Sequence, residues 1–140
     1  MNVFIDTNII IDLLARREPF YLESLQLFSL ADSNEINLFI SALSLVNAHY
    51  ILYDVMKIKD ARSVIGKFKV LVHSHPLHDK TIDLALNDKD LKDFEDGIQY
   101  YSALESKATT IVTRNLKDFK HSIIPVMSPK EFLSKRKSVS

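Results

Sequence analysis

Strand-like and helix-like segments alternate from one end of this chain to the other, and that alternation narrows the folds open to it more than any other feature. Asn2-Val3-Phe4-Ile5 is apolar and extended, residues 37–41 form a second short apolar run, and Thr110-Ile111-Val112-Thr113 is β-branched throughout. Residues 71–75 and 123–127 read as two more short strands. Between them lie helical patterns at 9–15, 19–33, 42–56, 59–70, 79–87 and 90–107. Helices placed between strands act as crossover connections, so the expected fold is α/β. It should have three layers, with helices on both faces of a central, mostly parallel sheet.

At 140 residues, with only 2 Gly and 4 Pro to build linkers, the chain reads as a single domain over 1–140. The final helix is announced by Ser128-Pro129-Lys130-Glu131, where Ser can cap, Pro fits the first turn and Glu takes the capping-box position. The basic stretch 135–140 is expected to fray. Cysteine is absent, which excludes disulfides and thiolate zinc sites. No basic segment precedes an apolar run at the N-terminus, and no run reaches membrane-spanning length. A cytoplasmic protein without a membrane segment is expected. Net charge is zero, so any nucleic-acid surface must come from local clustering of cations.

The chemistry gathers where strands end. Asp6-Thr7-Asn8 closes the first strand, and the crevice outside the carboxyl ends of parallel strands is where α/β proteins bind ligands. Thr7 and Asn8 also suit a helix cap. In the 90–107 helix, Phe94, Ile98, Tyr101, Leu104 and Ala108 form an apolar stripe. Asp93, Asp96 and Tyr100 lie on the adjacent stripe, so two carboxylates stand one turn apart near the helix start, where the dipole favours anions. Glu95 reads as an ordinary solvated acid of that first turn. Gly97 costs roughly 1 kcal/mol relative to Ala inside a helix and suggests close backbone packing. Thr113-Arg114-Asn115-Leu116-Lys117-Asp118-Phe119 again sets polar groups directly after a strand, although Asn115 and Asp118 also suit a tight turn. In the helix after the second strand, Leu43, Val46, Tyr50 and Tyr53 read as the apolar face. Asn47 lies one residue from its centre line, where it braces the core or faces a cleft.

In this order, spacing and strand-helix context, these residues resemble the PIN-domain ribonucleases, particularly the small single-domain ones that include VapC-type toxins of bacterial toxin-antitoxin pairs. The resemblance implies that Asp6 and Asp96 ligate a metal, that Asp93 and Asp118 complete the catalytic acids, and that Thr7, Asn8, Asn47, Thr113 and Asn115 support them. It also implies Mg²⁺- or Mn²⁺-dependent hydrolysis of RNA phosphodiesters by metal-activated water. Arg114 and Lys117, with Lys120 and Lys135-Arg136-Lys137, are candidate phosphate contacts, for which solvated surface cations are the ordinary reading. A cognate antitoxin and a homodimer are the implied partners. Crowded carboxylates support the metal independently, because they repel one another and take up protons unless a cation compensates them. Hard oxygen donors of this kind suit Mg²⁺.

The family usually carries a glutamate on the helix after the second strand. The corresponding residue here is Asn47, which keeps a ligand oxygen and removes a negative charge. That substitution raises an alternative, a catalytically weak scaffold that binds RNA or a protein. A different metal site is suggested by His73-Ser74-His75-Pro76-Leu77-His78, three imidazoles within six positions, for which exposed loop histidines are the ordinary reading. A phospho-acceptor role for Asp6 is disfavoured, because Arg114-Asn115 stands where a phosphate-binding lysine is expected.

Overall fold

In the computed structural model, which describes residues 1–139, five strands make one sheet. They are β1 Asn2–Ile5, β2 Asn37–Ser41, β3 His73–His75, β4 Thr110–Val112 and β5 Val126–Met127, in the order β3-β2-β1-β4-β5. Every neighbouring pair is parallel. Seven α-helices accompany them: α1 Thr7–Leu14, α2 Tyr21–Asp32, α3 Ala42–Tyr50, α4 Ala61–Lys69, α5 Asp79–Asn87, α6 Phe94–Glu105 and α7 Pro129–Val139. The expected α/β architecture is present. No helix of the described residues is long and apolar enough to cross a membrane.

The two-residue period of a strand sorts the core into two halves. Val3, Ile5, Leu38, Ile40 and Val112 face one side, where they meet Ile9 and Ile10 of α1, Leu27 and Phe28 of α2, Phe68 of α4 and Phe132 of α7. Phe4 and Ile111 face the other side and meet Tyr100 and Ala103 of α6 together with Phe119. α5 packs on α6 so closely that a Cβ added at Gly97 would lie 3.1 Å from the Cβ of Ala85. This is the close approach the glycine suggested.

Three local readings are corrected. The cap of α1 is Asp6 itself, whose Oδ1 accepts from the Thr7 N–H at 2.7 Å; Thr7 and Asn8 are already helical. α6 starts at Phe94, because the Asp93 side chain accepts from the Asp96 N–H at 3.0 Å and so becomes its N-cap. The buried side of α3 is not the large apolar stripe. Ser44 and Ala48 face inward, and a π-helical turn at Ile51–Val55 then brings in Leu52. Val46 (66 % exposed), Tyr50 and Tyr53 stand outward. Small residues win the inner face because the Ser44 hydroxyl is needed there, as described below.

Four helical segments end on non-glycine residues in the left-handed region: Arg16, Asn34, Lys57 and Lys107, with φ of 50°, 61°, 60° and 59°. At the other end of the chain the capping box forms as expected. Ser128 Oγ accepts from the Glu131 N–H and Glu131 Oε1 accepts from the Ser128 N–H, both at 3.1 Å. α7 continues to Val139, so Lys135, Arg136 and Lys137 belong to its last turns; Ser140 lies outside the described residues.

Candidate active site

The sheet order reverses between β1 and β4: from β1 the chain moves outward through β2 to β3, then returns to the other side of β1 for β4 and β5. A crevice opens at such a point. Asp6 leaves β1 there and Thr113 leaves β4 beside it. The strands align Ile5 with Val112, so the next residue of each chain segment stands at the same level.

Asp6 is nearly fully buried, and both carboxylate oxygens are engaged. Oδ1 takes the Thr7 N–H, and Oδ2 accepts from the Thr113 hydroxyl at 3.0 Å. Thr113 Oγ1 in turn accepts from the Asn115 N–H at 3.0 Å, and the Asp118 N–H bonds the Asn115 carbonyl at 3.0 Å. The segment after β4 is thus wound into a 3-10 turn, Leu116–Phe119, with Phe119 buried as its anchor and Asp118 exposed. Thr113 and Asn115 hold Asp6 and Asp118 in one frame. Thr7 supports from beneath: its hydroxyl shares a 2.8 Å hydrogen bond with Ser44 Oγ, which accepts from Gln99 Nε2 at 3.0 Å. This buried relay ties α1, α3 and α6 together.

Asp96 presents the second acid from the first turn of α6, with Asp93 at the cap. Burial pushes the Asp96 carboxyl up to about 7, and the charges of Asp118, Asp93, Asp6 and Glu95 push the same way. Burial also raises Asp6. The hydrogen bonds from Thr113 and Thr7 oppose that rise, Asp118 adds to it and Arg114 works against it. Carboxyl groups on three elements therefore share one field, which disfavours their joint ionisation without a cation. Beside them Asp90, Leu91, Lys92, Asp93, Asp96, Lys117, Asp118, Lys120 and His121 line a cleft of about 270 Å³.

Not every expected residue enters this cluster. Arg114 turns away from the cleft. Its Nε and Nη2 bind the two oxygens of Asp12 at 2.7 and 3.1 Å, and its guanidinium carbon lies 3.8 Å from the ring centre of Phe20. Asp12 is fully buried and also receives Arg17 Nε at 3.0 Å. Lys117 does line the cleft. Asn8 sits in the first turn of α1 with its carbonyl accepting from Arg17, and its side chain takes no part in holding Asp6. Asn47 is directed at α6, where its Nδ2 donates to Glu95 Oε1 at 2.6 Å. Glu95 is not the merely solvated acid that its helix position suggested, for its carboxyl is raised by burial and by Asp93 and Asp6, against the pull of Asn47. The signal in the sequence was its place beside Asp96; its partner, 48 residues away, left none.

The histidine-rich segment brings the rings of His75 and His78 edge to face with centres 5.7 Å apart, but it does not gather three imidazoles into a metal site. His73 stacks on Phe39 with ring centres 4.8 Å apart, and His75 has Glu105 at 4.0 Å. Among the described residues no three His, Cys, Asp or Glu side chains are set to hold an ion unaided. A hard divalent cation still fits the acid cluster. Mg²⁺ is commonly held by one or two carboxylates, with water and substrate oxygens filling the remaining positions. Asp96 and Asp6 would hold it here, and Asp118 adds charge nearby.

The strand-end acids, the capped late helix and the polar turn after β4 are joined by a decisive match: a PIN-domain family model fits residues 2–117. The chain belongs to the PIN-domain family. Ribonuclease VapC1 of Aquifex aeolicus (strain VF5) is 28% identical over 134 residues, covering 94% of this chain and 92% of its own length. Among solved structures, VapBC2 from Rickettsia felis, bound to a DNA fragment from their promoter, superposes with a TM-score of 0.67 at 20% identity. The match covers 91% of this chain and 98% of that one. Mycobacterium tuberculosis VapC20, a sarcin-ricin loop cleaving toxin, gives 0.62 at 12% identity over 78% and 86% of the two chains. A toxin-antitoxin complex from Klebsiella pneumoniae gives 0.67 at 20% identity over 91% and 97%. These structures establish the PIN fold for this chain.

Proposed function

We propose that this PIN domain is an endoribonuclease that hydrolyses RNA phosphodiesters with Mg²⁺ or Mn²⁺, and that it is the toxin of a toxin-antitoxin pair. The observation that carries the reading is the gathering of Asp6, Asp96 and Asp118 at the reversal point of the sheet, with Asp93 capping the helix that presents Asp96. A bound divalent ion supplies charge neutralisation at phosphorus and acidifies water for the displacement. The chain's own residues do the rest. Thr113 and the Thr7 N–H fix both oxygens of Asp6, so its carboxylate cannot rotate away from the site. Asp93 fixes the first turn of α6 and with it Asp96. Lys117 and Lys120 line the cleft, which supports a role for them in contacting substrate phosphates. With Arg114 committed to Asp12, Lys117 is the stronger RNA contact of the two basic candidates.

The VapC1 relative and the neighbours solved with antitoxins support the toxin assignment. Val46, Tyr50, Tyr53 and Val55, uncovered on α3 and the turn after it, support burial of that face on assembly with an antitoxin or in a homodimer. Purified protein incubated with structured and unstructured RNA should cleave in Mg²⁺ or Mn²⁺ and stop cleaving in EDTA. Asp6→Asn and Asp96→Asn should each abolish cleavage. Cleavage indifferent to EDTA and to both substitutions would sink the assignment.

A further inference from the structure

We propose that Glu95 is an acidic side chain of the cation site and that Asn47 positions it, so the charge absent from α3 is supplied from α6 across the gap between the two helices. This rests on the metal-dependent reading above and adds to it a residue that the strand-end pattern passes over.

Two rungs connect α3 and α6. The inner one is buried and runs from Ser44 to Gln99. The outer one runs from Asn47 to Glu95 at 2.6 Å. Asn47 is three residues after Ser44 and Glu95 is four before Gln99, so each partner lies one turn along its own helix. The outer rung therefore inherits its spacing from the inner one, which is itself tied to Thr7, directly after Asp6. A glutamate at an exposed first-turn position ordinarily keeps its rotamer freedom. Here a short charge-assisted bond holds it. Only Oε1 is used in that bond; Oε2 takes no hydrogen bond from the described residues.

The donor's identity decides between a stabilising pair and a functional one. A lysine at position 47 would hold Glu95 and cancel its charge. The neutral amide of Asn47 holds Glu95 and leaves the charge intact, beside acids already in mutual repulsion. That arrangement costs the cation-free fold and is offset only when a cation enters. It also accounts for Asn47 itself: its amide spends a donor on Glu95, so its role is to aim a carboxylate.

Mn²⁺ binding, followed by loss of the free-ion electron paramagnetic resonance signal, tests this without reference to cleavage. Glu95→Gln should weaken Mn²⁺ binding by about 10- to 100-fold, and Asn47→Ala by about tenfold, both with unchanged circular dichroism. The exchange Asn47→Glu with Glu95→Gln returns an acid to α3 and should recover binding to within about threefold of the native protein. Native affinity in Glu95→Gln overturns the proposal while leaving the metal site standing. Absence of Mn²⁺ binding in the native protein, or native binding in Asp96→Asn, overturns the metal reading and this inference with it.

Discussion

Replacing Asp12 with alanine removes the one carboxylate that two guanidinium groups share. Asp12 is fully buried, Arg17 reaches it at 3.0 Å, and Arg114 grips both oxygens at 2.7 and 3.1 Å. Taking one partner from a buried ion pair generally costs about 3–5 kcal/mol, because the partner's charge stays behind uncompensated. The arginine side chains retain 37% and 23% exposure, so water softens the loss and the lower end, about 3 kcal/mol, is expected. For a chain of this size each kcal/mol shifts the melting temperature by roughly 3–4 °C, giving a fall of roughly 10 °C. Calorimetric melts of Asp12→Ala beside Asp54→Ala, an exposed acid on the turn after α3, would measure it. The control should change by less than about 0.5 kcal/mol. A shift within about 3 °C for Asp12→Ala would refute the view that this carboxylate pins the segment after β4.

Two further outcomes follow from groups described above. Burial raises the folded-state pKa of Asp96 to about 7 and raises that of Asp6 from their ordinary value of 3.8, so between about pH 4 and 7 the folded chain binds more protons than the unfolded one. Stability of the cation-free protein is then full below that window and falls as pH rises through it. Melts in EDTA should show this decline and Asp96→Asn should flatten it; a melting temperature that climbs through the window contradicts the sign. Second, Lys107→Gly at the end of α6 should stabilise by about 0.5–1 kcal/mol, since the left-handed backbone costs a side chain roughly 1–2 kcal/mol and glycine's added chain entropy returns part of it. Asn34→Gly should gain less, because asparagine tolerates that conformation; equal gains in urea titrations would contradict the assignment.

The strands and most helices were legible because periodicity and capping are local. Asn37–Ser41 and Asp79–Asn87 emerge with the bounds the sequence suggests, and Asp6, Asp96 and Asp118 stand near one another as strand-end chemistry leads one to expect. The phase of α3 was not legible. An apolar count prefers Val46, Tyr50 and Tyr53, whereas the helix turns Ser44 and Ala48 inward to reach Thr7 and Gln99. Long-range polar pairing escapes a linear reading in the same way. Arg114 looked like a substrate contact because the carboxylate that claims it lies 102 residues earlier. Glu95 looked idle because Asn47 sits on another helix.

The acids that meet at the sheet's reversal point come from positions 6, 93–96 and 118, and the segment that carries the last of them leaves β4 where the Thr113 N–H bonds the Met127 carbonyl of β5. A growing or truncated chain therefore cannot assemble the cluster from its first two-thirds. Completion of the chain thus gates the site: a product that stops short of position 118 lacks one of the acids outright.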